Sequence, residues 1–210
     1  GDYPAVFGWE LGGLETGADR SIDDVPFAEI TRLLCAAYGR GAVNTVSWHP
    51  QNPESGASAW DGKTSTAVSS ILPGGANHAQ FRLWLDRLAG FFVGLKSADG
   101  TCVPVLFRPF HEHTGSGFWW GEAQCTPDEY KALWRFTVEY LRDVKGVHNL
   151  LYVYSPDLYR DAEHYTERYP GDEWVDVLGL DAYHRPQDWD FLSGGERMLS
   201  TLQRLGHEHG

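Results

Sequence analysis

Five short apolar segments, each followed at once by polar or aromatic residues, constrain the fold of this 210-residue chain more than any other feature. Longer stretches with helical periodicity separate them, which is typical of a parallel sheet with crossover helices. The nearly continuous apolar character of the segments predicts strands covered on both faces. The predicted strands cover residues 5–10, 42–49, 103–112, 150–154 and 175–180.

The residues that follow the five segments indicate which kind of parallel sheet this is. If all five polar ends lie on one rim, they match the (β/α)8 barrel, whose site is built at the carboxyl ends of its strands. A doubly wound sheet is less favoured, because no Gly-rich phosphate loop follows any segment. A complete barrel takes about 250 residues and eight units. We therefore predict an α/β fold, an incomplete (β/α)8 TIM barrel, with residues 1–210 forming one domain.

The sequence also predicts the helices and one long loop. We expect helices near residues 27–34, 77–95, 130–144 and 194–205. Thr126 begins a capping-box pattern with Pro127 and Glu129, and Asp23 or Asp24 is the expected cap of the first helix. Residues 50–76 are rich in Pro, Ser, Gly and Asn. A loop of that length is usually functional or mobile.

Composition excludes several classes of protein. The net charge of −12 has the wrong sign for holding a nucleic-acid backbone. No apolar run approaches the roughly 20 residues that cross a bilayer. The three cysteines have spacings that fit neither a disulfide scaffold nor a zinc site, so we expect small buried hydrophobes and no cofactor. Nine Trp, ten Tyr and ten Phe suit either an aromatic core or the faces of a sugar.

The densest group of reactive side chains lies in residues 108–121, Arg-Pro-Phe-His-Glu-His-Thr-Gly-Ser-Gly-Phe-Trp-Trp-Gly. A carboxyl group among aromatic rings is poorly hydrated, and its pKa therefore rises. Such a group can protonate the leaving oxygen of an acetal near neutral pH. Glu112 is therefore the candidate general acid. The alternative is an ordinary ion pair between Glu112 and Arg108 or a histidine.

His111 and His113 support a second interpretation. Two residues apart on an extended strand, they would point to the same side and could bind a metal ion. This alternative is a metal-dependent barrel hydrolase. Because catalytic zinc takes three protein ligands, and His49 and His184 are single residues on other strands, we predict no metal site. His111 is instead expected to orient a carboxylate.

Aromatic residues provide the candidate sugar contacts. Phe118, Trp119 and Trp120 are the expected stacking platforms, although one of the three should pack in the core. Tyr183 could place its hydroxyl at the centre of the site. Five further residues have structural explanations that are as good or better: Asp181 as a partner of Arg or backbone, Asp157 in a turn or cap, and Glu10, Trp9 and Trp60 in loop packing.

Together these segments resemble glycoside hydrolase family 26, the β-mannanase family of clan A. The resemblance rests on residues 1–10, Gly-Asp-Tyr-Pro-Ala-Val-Phe-Gly-Trp-Glu, on Trp48-His49, on residues 108–121, and on residues 176–183, Asp-Val-Leu-Gly-Leu-Asp-Ala-Tyr. It extends over nearly the whole chain. It implies a (β/α)8 barrel and, for most members, endo-β-1,4-mannanase activity with retention of configuration.

The resemblance also assigns residues. It implies that Glu112 is the acid/base at the end of the fourth strand and that His111 supports it. It places His49 and Tyr183 around the sugar at the cleavage point, with Tyr183 touching the nucleophile. Gly117 stands where many members have a stacking Trp, so the platform here must be another ring or the subsite is weaker.

A second departure concerns the nucleophile. The family's nucleophile is a Glu at the end of the seventh strand, and the segments found here correspond to strands two to six. The expectation is that this Glu lies beyond the C-terminus of the 210-residue chain. The isolated chain is then predicted to be inactive, and its exposed sheet edges predict poor solubility.

The leading hypothesis is thus the central part of a retaining glycoside hydrolase that cleaves internal β-1,4-mannosidic bonds. Its expected partners are polysaccharides or oligosaccharides such as mannan, galactomannan or glucomannan, with no nucleic acid and no membrane span. The alternative from another class is a non-catalytic carbohydrate-binding barrel. An extracellular or cell-envelope location is inferred only from the size of the substrate.

Overall fold

The computed structural model describes residues 3–184 and 191–209. Five parallel strands in this part pair in chain order, β1-β2-β3-β4-β5, as the sequence predicts. This is an α/β fold in which the strands form part of a barrel. The strands are β1 Val6–Glu10, β2 Val43–Trp48, β3 Val105–Pro109, β4 Leu150–Tyr154 and β5 Val177–Leu178.

Helices connect the strands and pack on the outer face of the sheet. The α-helices are α1 Phe27–Gly39, α2 Ala67–Ile71, α3 His78–Gly94, α4 Pro127–Glu139, α5 Ala162–Thr166 and α6 Phe191–His209. Short 3-10 turns lie at Leu14–Thr16 and Asp172–Trp174, and a π-helical turn, Tyr140–Val144, continues α4. None of the described helices is long and apolar enough to span a bilayer.

The core lies between the helices and one face of the sheet. The five apolar residues predicted along α3 are all buried there, which confirms that periodicity: Phe81, Trp84, Leu85, Leu88 and Phe92. They meet strand residues such as Trp48 and Phe107. The burial of these large side chains positions the strands whose ends carry the site.

The inner face of the sheet differs from the prediction. Val6, Val43 and Leu151 are 54%, 46% and 44% exposed. The expectation that both faces are covered is therefore wrong for the described residues. The cause is that the helices occupy only the outer face of the sheet, while the strands of an incomplete barrel leave the inner face accessible.

Two predicted helix starts had different outcomes. Thr126 and Glu129 form the expected capping box, in which each side chain accepts a hydrogen bond from the backbone N–H of the other. The predicted cap of α1 is wrong, because Pro26 occupies the cap position. Asp24 instead has φ 60° and faces Arg20 at the surface.

The third and fifth strands are shorter than predicted. β3 ends at Pro109 because Phe110 has φ 48°, a left-handed conformation that cannot continue a strand. β5 contains only two residues, although flanking bonds from Asp176 N to Tyr152 O and from Gly179 N to Tyr154 O extend its pairing with β4. The early end of β3 places residues 110–113 in a turn above the sheet.

Candidate active site

Side chains from the ends of all five strands meet at one rim, as predicted. Glu10 after β1 contacts His49 after β2, and His49 contacts His111 after β3. On the other side, Ser155 after β4 contacts Asp181 after β5. The carboxyl ends of the strands therefore form one continuous polar surface.

Glu112 is held on this rim by an unusual backbone turn. Both Phe110 and Glu112 have positive φ, 48° and 55°, although neither is a glycine. The N–H of Glu112 donates to the carbonyl of Ser155 at 2.8 Å, and Trp120 Nε1 donates to the carbonyl of His111 at 2.8 Å. Strained non-glycine residues persist only where the surroundings fix them, and they cluster at functional sites.

The carboxyl group of Glu112 is half-buried, and its surroundings favour the protonated form. Burial raises its pKa above the ordinary value, and the negative charges of Asp181 and Asp157 raise it further. A hydrogen bond from Tyr183 Oη to Oε1 at 3.2 Å and the charge of Arg108 oppose this shift. Glu112 can therefore hold a proton at a pH where an exposed glutamate has lost it.

Arg108, Ser155 and Asp181 form a hydrogen-bonded group beside Glu112. Arg108 Nη1 and Ser155 Oγ both donate to Oδ2 of Asp181, at 2.6 and 2.7 Å. Burial raises the pKa of Asp181, and the charge of Arg108 acts in the opposite direction. A structural role for Asp181 beside an arginine is one of the alternatives stated above, and Arg108 is such a partner.

His49 and His111 are in direct contact. Their Nε2 atoms lie 3.0 Å apart, and Nδ1 of His49 lies 2.7 Å from Oε2 of Glu10. Burial lowers the pKa of His111 well below its ordinary value, with the charge of Arg108 acting in the same direction. His111 is therefore a neutral ring, and its contact with His49 is a hydrogen bond.

His113 does not share the position of His111. Because β3 ends at Pro109, the prediction that both rings lie on one side of an extended strand is wrong. His113 is completely buried between Tyr130 and Tyr154, with ring centroids 4.4 and 4.6 Å away. Within residues 3–184 and 191–209, no group of three or more His, Cys, Asp or Glu side chains could hold a metal ion.

The aromatic residues of the 118–120 segment are packed inside the protein. Trp119 is completely buried and donates from Nε1 to the carbonyl of Pro50, so its ring offers no open face. Phe118 stacks on the buried Trp120 with a centroid distance of 4.5 Å. Phe118 and Trp119, predicted as stacking platforms, are thus buried side chains that pack beneath the rim.

Trp60 is an indole ring that is open to solvent beside the site. It is 54% exposed and stacks on His49, with centroids 5.2 Å apart. The sequence ranked it among the weaker candidates. The available signal was its position in the long 50–76 loop, a type of loop that is often functional.

A cleft of about 370 Å³ lies at the rim beside Trp60. Trp60, His49, Glu10 and Arg108 line it, together with Trp9, whose Nε1 donates to Asn44. One open aromatic face with several polar groups around it suits a hydroxylated ring. Asp157, whose charge acts on Glu112, lies in a bend after β4 and accepts a bond from the N–H of Leu158.

The sequence of this chain is similar to those of known glycoside hydrolases. The sequence model described as glycosyl hydrolase family 26 matches residues 1–194. A mannan endo-1,4-beta-mannosidase of Bifidobacterium adolescentis is 45% identical over 192 residues, which cover 87% of this chain and 19% of that protein. A mannan endo-1,4-beta-mannosidase of Bacillus subtilis is 32% identical, covering 95% of this chain and 55% of that protein.

Solved structures of mannanases are also similar to this chain. A GH26 β-mannanase of Bacteroides ovatus superposes with a TM-score of 0.94 at 43% identity, covering 99% of this chain and 60% of that one. An endo-β-1,4-mannanase of Cellulomonas fimi superposes with a TM-score of 0.88 at 40% identity, covering 100% of this chain and 48% of that one. The chain thus spans between a fifth and about three fifths of the length of these relatives.

Proposed function

The chain belongs to glycosyl hydrolase family 26, and on that premise we propose that it carries the acid/base part of an active site that cleaves internal β-1,4-mannosidic bonds with retention of configuration. The observation that carries the proposal is the half-buried Glu112 on the rim, whose pKa is raised by burial and by two neighbouring carboxylates. The mannanase names of the relatives supply the substrate class.

In this mechanism Glu112 acts twice. In the first step its protonated carboxyl group donates a proton to the glycosidic oxygen as the bond to the anomeric carbon breaks, while a second carboxylate attacks that carbon. In the second step the Glu112 carboxylate takes a proton from the water that hydrolyses the glycosyl-enzyme. The raised pKa favours the first step, and the Tyr183 hydrogen bond to Oε1 supports the ionised form needed for the second.

The second carboxylate must lie about 5–5.5 Å from Glu112 in a retaining enzyme. Asp181 is already engaged by Arg108 and Ser155, which makes it a poor nucleophile. On the basis of the resemblance to the family, we assign the nucleophile to a residue outside the described part of the chain.

Trp60 and His49 are the proposed contacts of the substrate. The exposed face of Trp60 is suited to stacking on a mannose ring in the cleft. Mannan, galactomannan and glucomannan are the proposed substrates. Because a polysaccharide is met outside the cell, we also propose an extracellular or cell-envelope location.

The test is the substitution Glu112→Gln in the full-length protein. Hydrolysis of mannan should fall about 10²- to 10⁴-fold, the usual contribution of a general acid. Cleavage of a dinitrophenyl β-mannoside should fall much less, because that leaving group needs no proton. The matched control is Glu122→Gln in the same segment, where an exposed carboxylate is removed. Undiminished mannan hydrolysis by Glu112→Gln would refute the assignment.

A further inference from the structure

The carboxylate of Glu10 accepts four hydrogen bonds, which is more than packing of a strand end requires. Oε1 accepts from the backbone N–H groups of Gly12 and His49, and Oε2 accepts from Ser47 Oγ at 2.6 Å and lies 2.7 Å from Nδ1 of His49. The Glu10 side chain is only 9% exposed. A buried carboxylate with this many donors is a fixed acceptor.

The protonation of Glu10 determines the proton position on His49. Burial opposes ionisation, but the hydrogen bond from His49, the charge of this ring when it is protonated, and the hydrogen bonds from Ser47 and the Gly12 backbone together lower the pKa of Glu10. An ionised carboxylate has no proton to give, so the short contact at Oε2 requires a proton on Nδ1 of His49. Whenever the His49 ring is neutral, its Nε2 then carries only a lone pair.

The contact between the two histidines follows from this. A distance of 3.0 Å between two Nε2 atoms requires one proton between them, and His49 already holds its proton at Nδ1. Nδ1 of His111 is buried and makes no hydrogen bond of normal geometry, although the Arg108 backbone is close enough to the ring to act on its pKa. A proton on that atom would be a buried donor without an acceptor, which is costly. The proton of His111 is therefore on Nε2.

We propose that Glu10 is a positioning residue that fixes the tautomers of His49 and His111, so that a single hydrogen-bond direction runs from His111 to His49 to Glu10. The three residues follow β3, β2 and β1 in turn. The carboxylate of Glu10 thus acts across two strands on the residue that directly precedes Glu112.

The consequence for the reaction rests on the proposed function. His111 sits between two positive-φ residues, Phe110 and Glu112, so the orientation of its ring and the turn that carries Glu112 are coupled through a short stretch of backbone. Reversing the hydrogen bond would move the His111 proton to the buried Nδ1, which has no partner of normal geometry, and would thereby strain this turn. We expect a larger loss in kcat than in KM, because the four hydrogen bonds that Glu10 accepts from the protein leave its carboxylate little capacity to hold the sugar.

The experiment is nitrogen-15 NMR of the imidazoles in the full-length protein, with His49 and His111 assigned by single substitutions. The wild-type protein should show protonated Nδ1 and bare Nε2 in His49, and protonated Nε2 in His111. In Glu10→Gln, the two backbone N–H donors keep the amide oxygen on their side, so the amide NH₂ faces Nδ1 of His49. His49 should then shift to the Nε2–H tautomer, and His111 Nε2 should lose its proton.

Two substitutions serve as controls. Glu15→Gln alters another buried carboxylate at the same rim, which accepts from Trp48 Nε1 and Gln51 N and touches no histidine. Ser47→Ala removes one donor to Glu10 but keeps the carboxylate. Both should preserve the wild-type tautomers. A wild-type proton on Nε2 of His49, or unchanged tautomers in Glu10→Gln, would overturn the proposal.

Kinetics separate this proposal from the proposed function. Glu10→Gln should lower kcat for mannan roughly 10- to 100-fold, as loss of an orienting partner does in other sites, with KM little changed. A reversed tautomer with unchanged kcat would overturn the positioning role. If the wild-type protein does not hydrolyse mannan, the proposed function fails, while the NMR result still decides whether Glu10 fixes the two rings.

Discussion

The hydroxyl of Tyr183 donates a hydrogen bond to Oε1 of Glu112 at 3.2 Å, which joins the segment after β5 to the turn after β3. Tyr183 is 57% exposed, so the contact lies at the open surface of the rim. In return, the charge of Glu112 raises the pKa of Tyr183. The two groups therefore influence each other's protonation at the surface of the rim.

Tyr183→Phe should move the basic limb of the pH–kcat profile to higher pH. The hydrogen bond lowers the pKa of Glu112, and its removal raises that pKa. Because the acid form is lost as the pH rises through the pKa, a higher pKa keeps the acid active further into the alkaline range. Full pH profiles of both proteins on mannan provide the measurement. A shift to lower pH would contradict the role given to this bond.

Asp181→Asn should move the same limb to lower pH. The charge of Asp181 raises the pKa of Glu112, while the charge of Arg108 lowers it, and the substitution leaves Arg108 unpaired. Loss of the ion pair should also reduce the free energy of unfolding by about 1–3 kcal/mol. The profile and a urea titration of the same preparation test both effects, with Asp176→Asn as a control carboxylate of the same β5 segment.

Trp60→Ala should weaken substrate binding more than it weakens the fold. Its ring is exposed and contacts His49, so truncation removes a stacking face worth about 0.5–1.5 kcal/mol, or up to roughly tenfold in KM. Trp119→Ala is the contrasting change, because loss of that buried ring should cost about 3–5 kcal/mol of stability. KM and thermal midpoints of the two variants distinguish the roles. An unchanged KM in Trp60→Ala would remove this residue from the site.

His113 should make the protein sensitive to mild acid. Burial lowers its pKa well below the ordinary value, so in the folded state it stays neutral where the unfolded chain takes up a proton. Its contribution to stability is complete above about pH 6.5 and is lost as the pH falls, by about 1.4 kcal/mol per pH unit. His111 contributes with the same sign.

The variant His113→Phe tests this directly. A phenyl ring should fit between the two tyrosines. Because it cannot take up a proton, the free energy of unfolding should fall less between pH 6.5 and pH 5, by the amount that His113 contributes to that fall. Urea unfolding at a series of pH values gives the slope, and His148→Gln, which changes an exposed histidine, should keep the slope of the parent protein. A parent-like slope in His113→Phe would contradict the prediction.

The 210-residue chain by itself should not release reducing sugar from mannan. The double displacement needs a second carboxylate about 5–5.5 Å from Glu112, and Asp181 is held by Arg108 and Ser155. The assay compares the chain with the full-length protein at equal folded concentration, with folding checked by circular dichroism. Turnover by the chain at the full-length rate would show that all the reacting groups are present in it.

The order of strands and the meeting of their ends could be predicted from the sequence, because each of these depends on a local pattern. The apolar segments fixed the strands, and the polar pairs that follow them, such as Trp48-His49, marked the rim. The capping box at Thr126 was equally local. The early end of β3 was not, since Phe110 and Glu112 are not residue types that favour positive φ. Tertiary contacts from Ser155 and Trp120 impose that turn.

The exposure of the individual aromatic rings could not be predicted from the sequence. Phe118, Trp119 and Trp60 have the same chemistry in the sequence, and only the path of the loops decides which ring is open. The loop that carries Trp60 also brings the carbonyl of Ala59 to Trp119 N, so it buries one indole while exposing the other. The hydrogen-bonded set around Glu10 was missed for the same reason, because its members come from separate segments.

Because Glu112 has a positive φ, its carboxyl group keeps its position only while the neighbouring contacts of the rim hold the backbone in that conformation. A backbone that favours another conformation relaxes when neighbouring contacts loosen, even while α3, α4 and the outer core remain folded. On gradual heating, enzymatic competence should therefore vanish several degrees before the cooperative melting of the domain, and cooling should restore it.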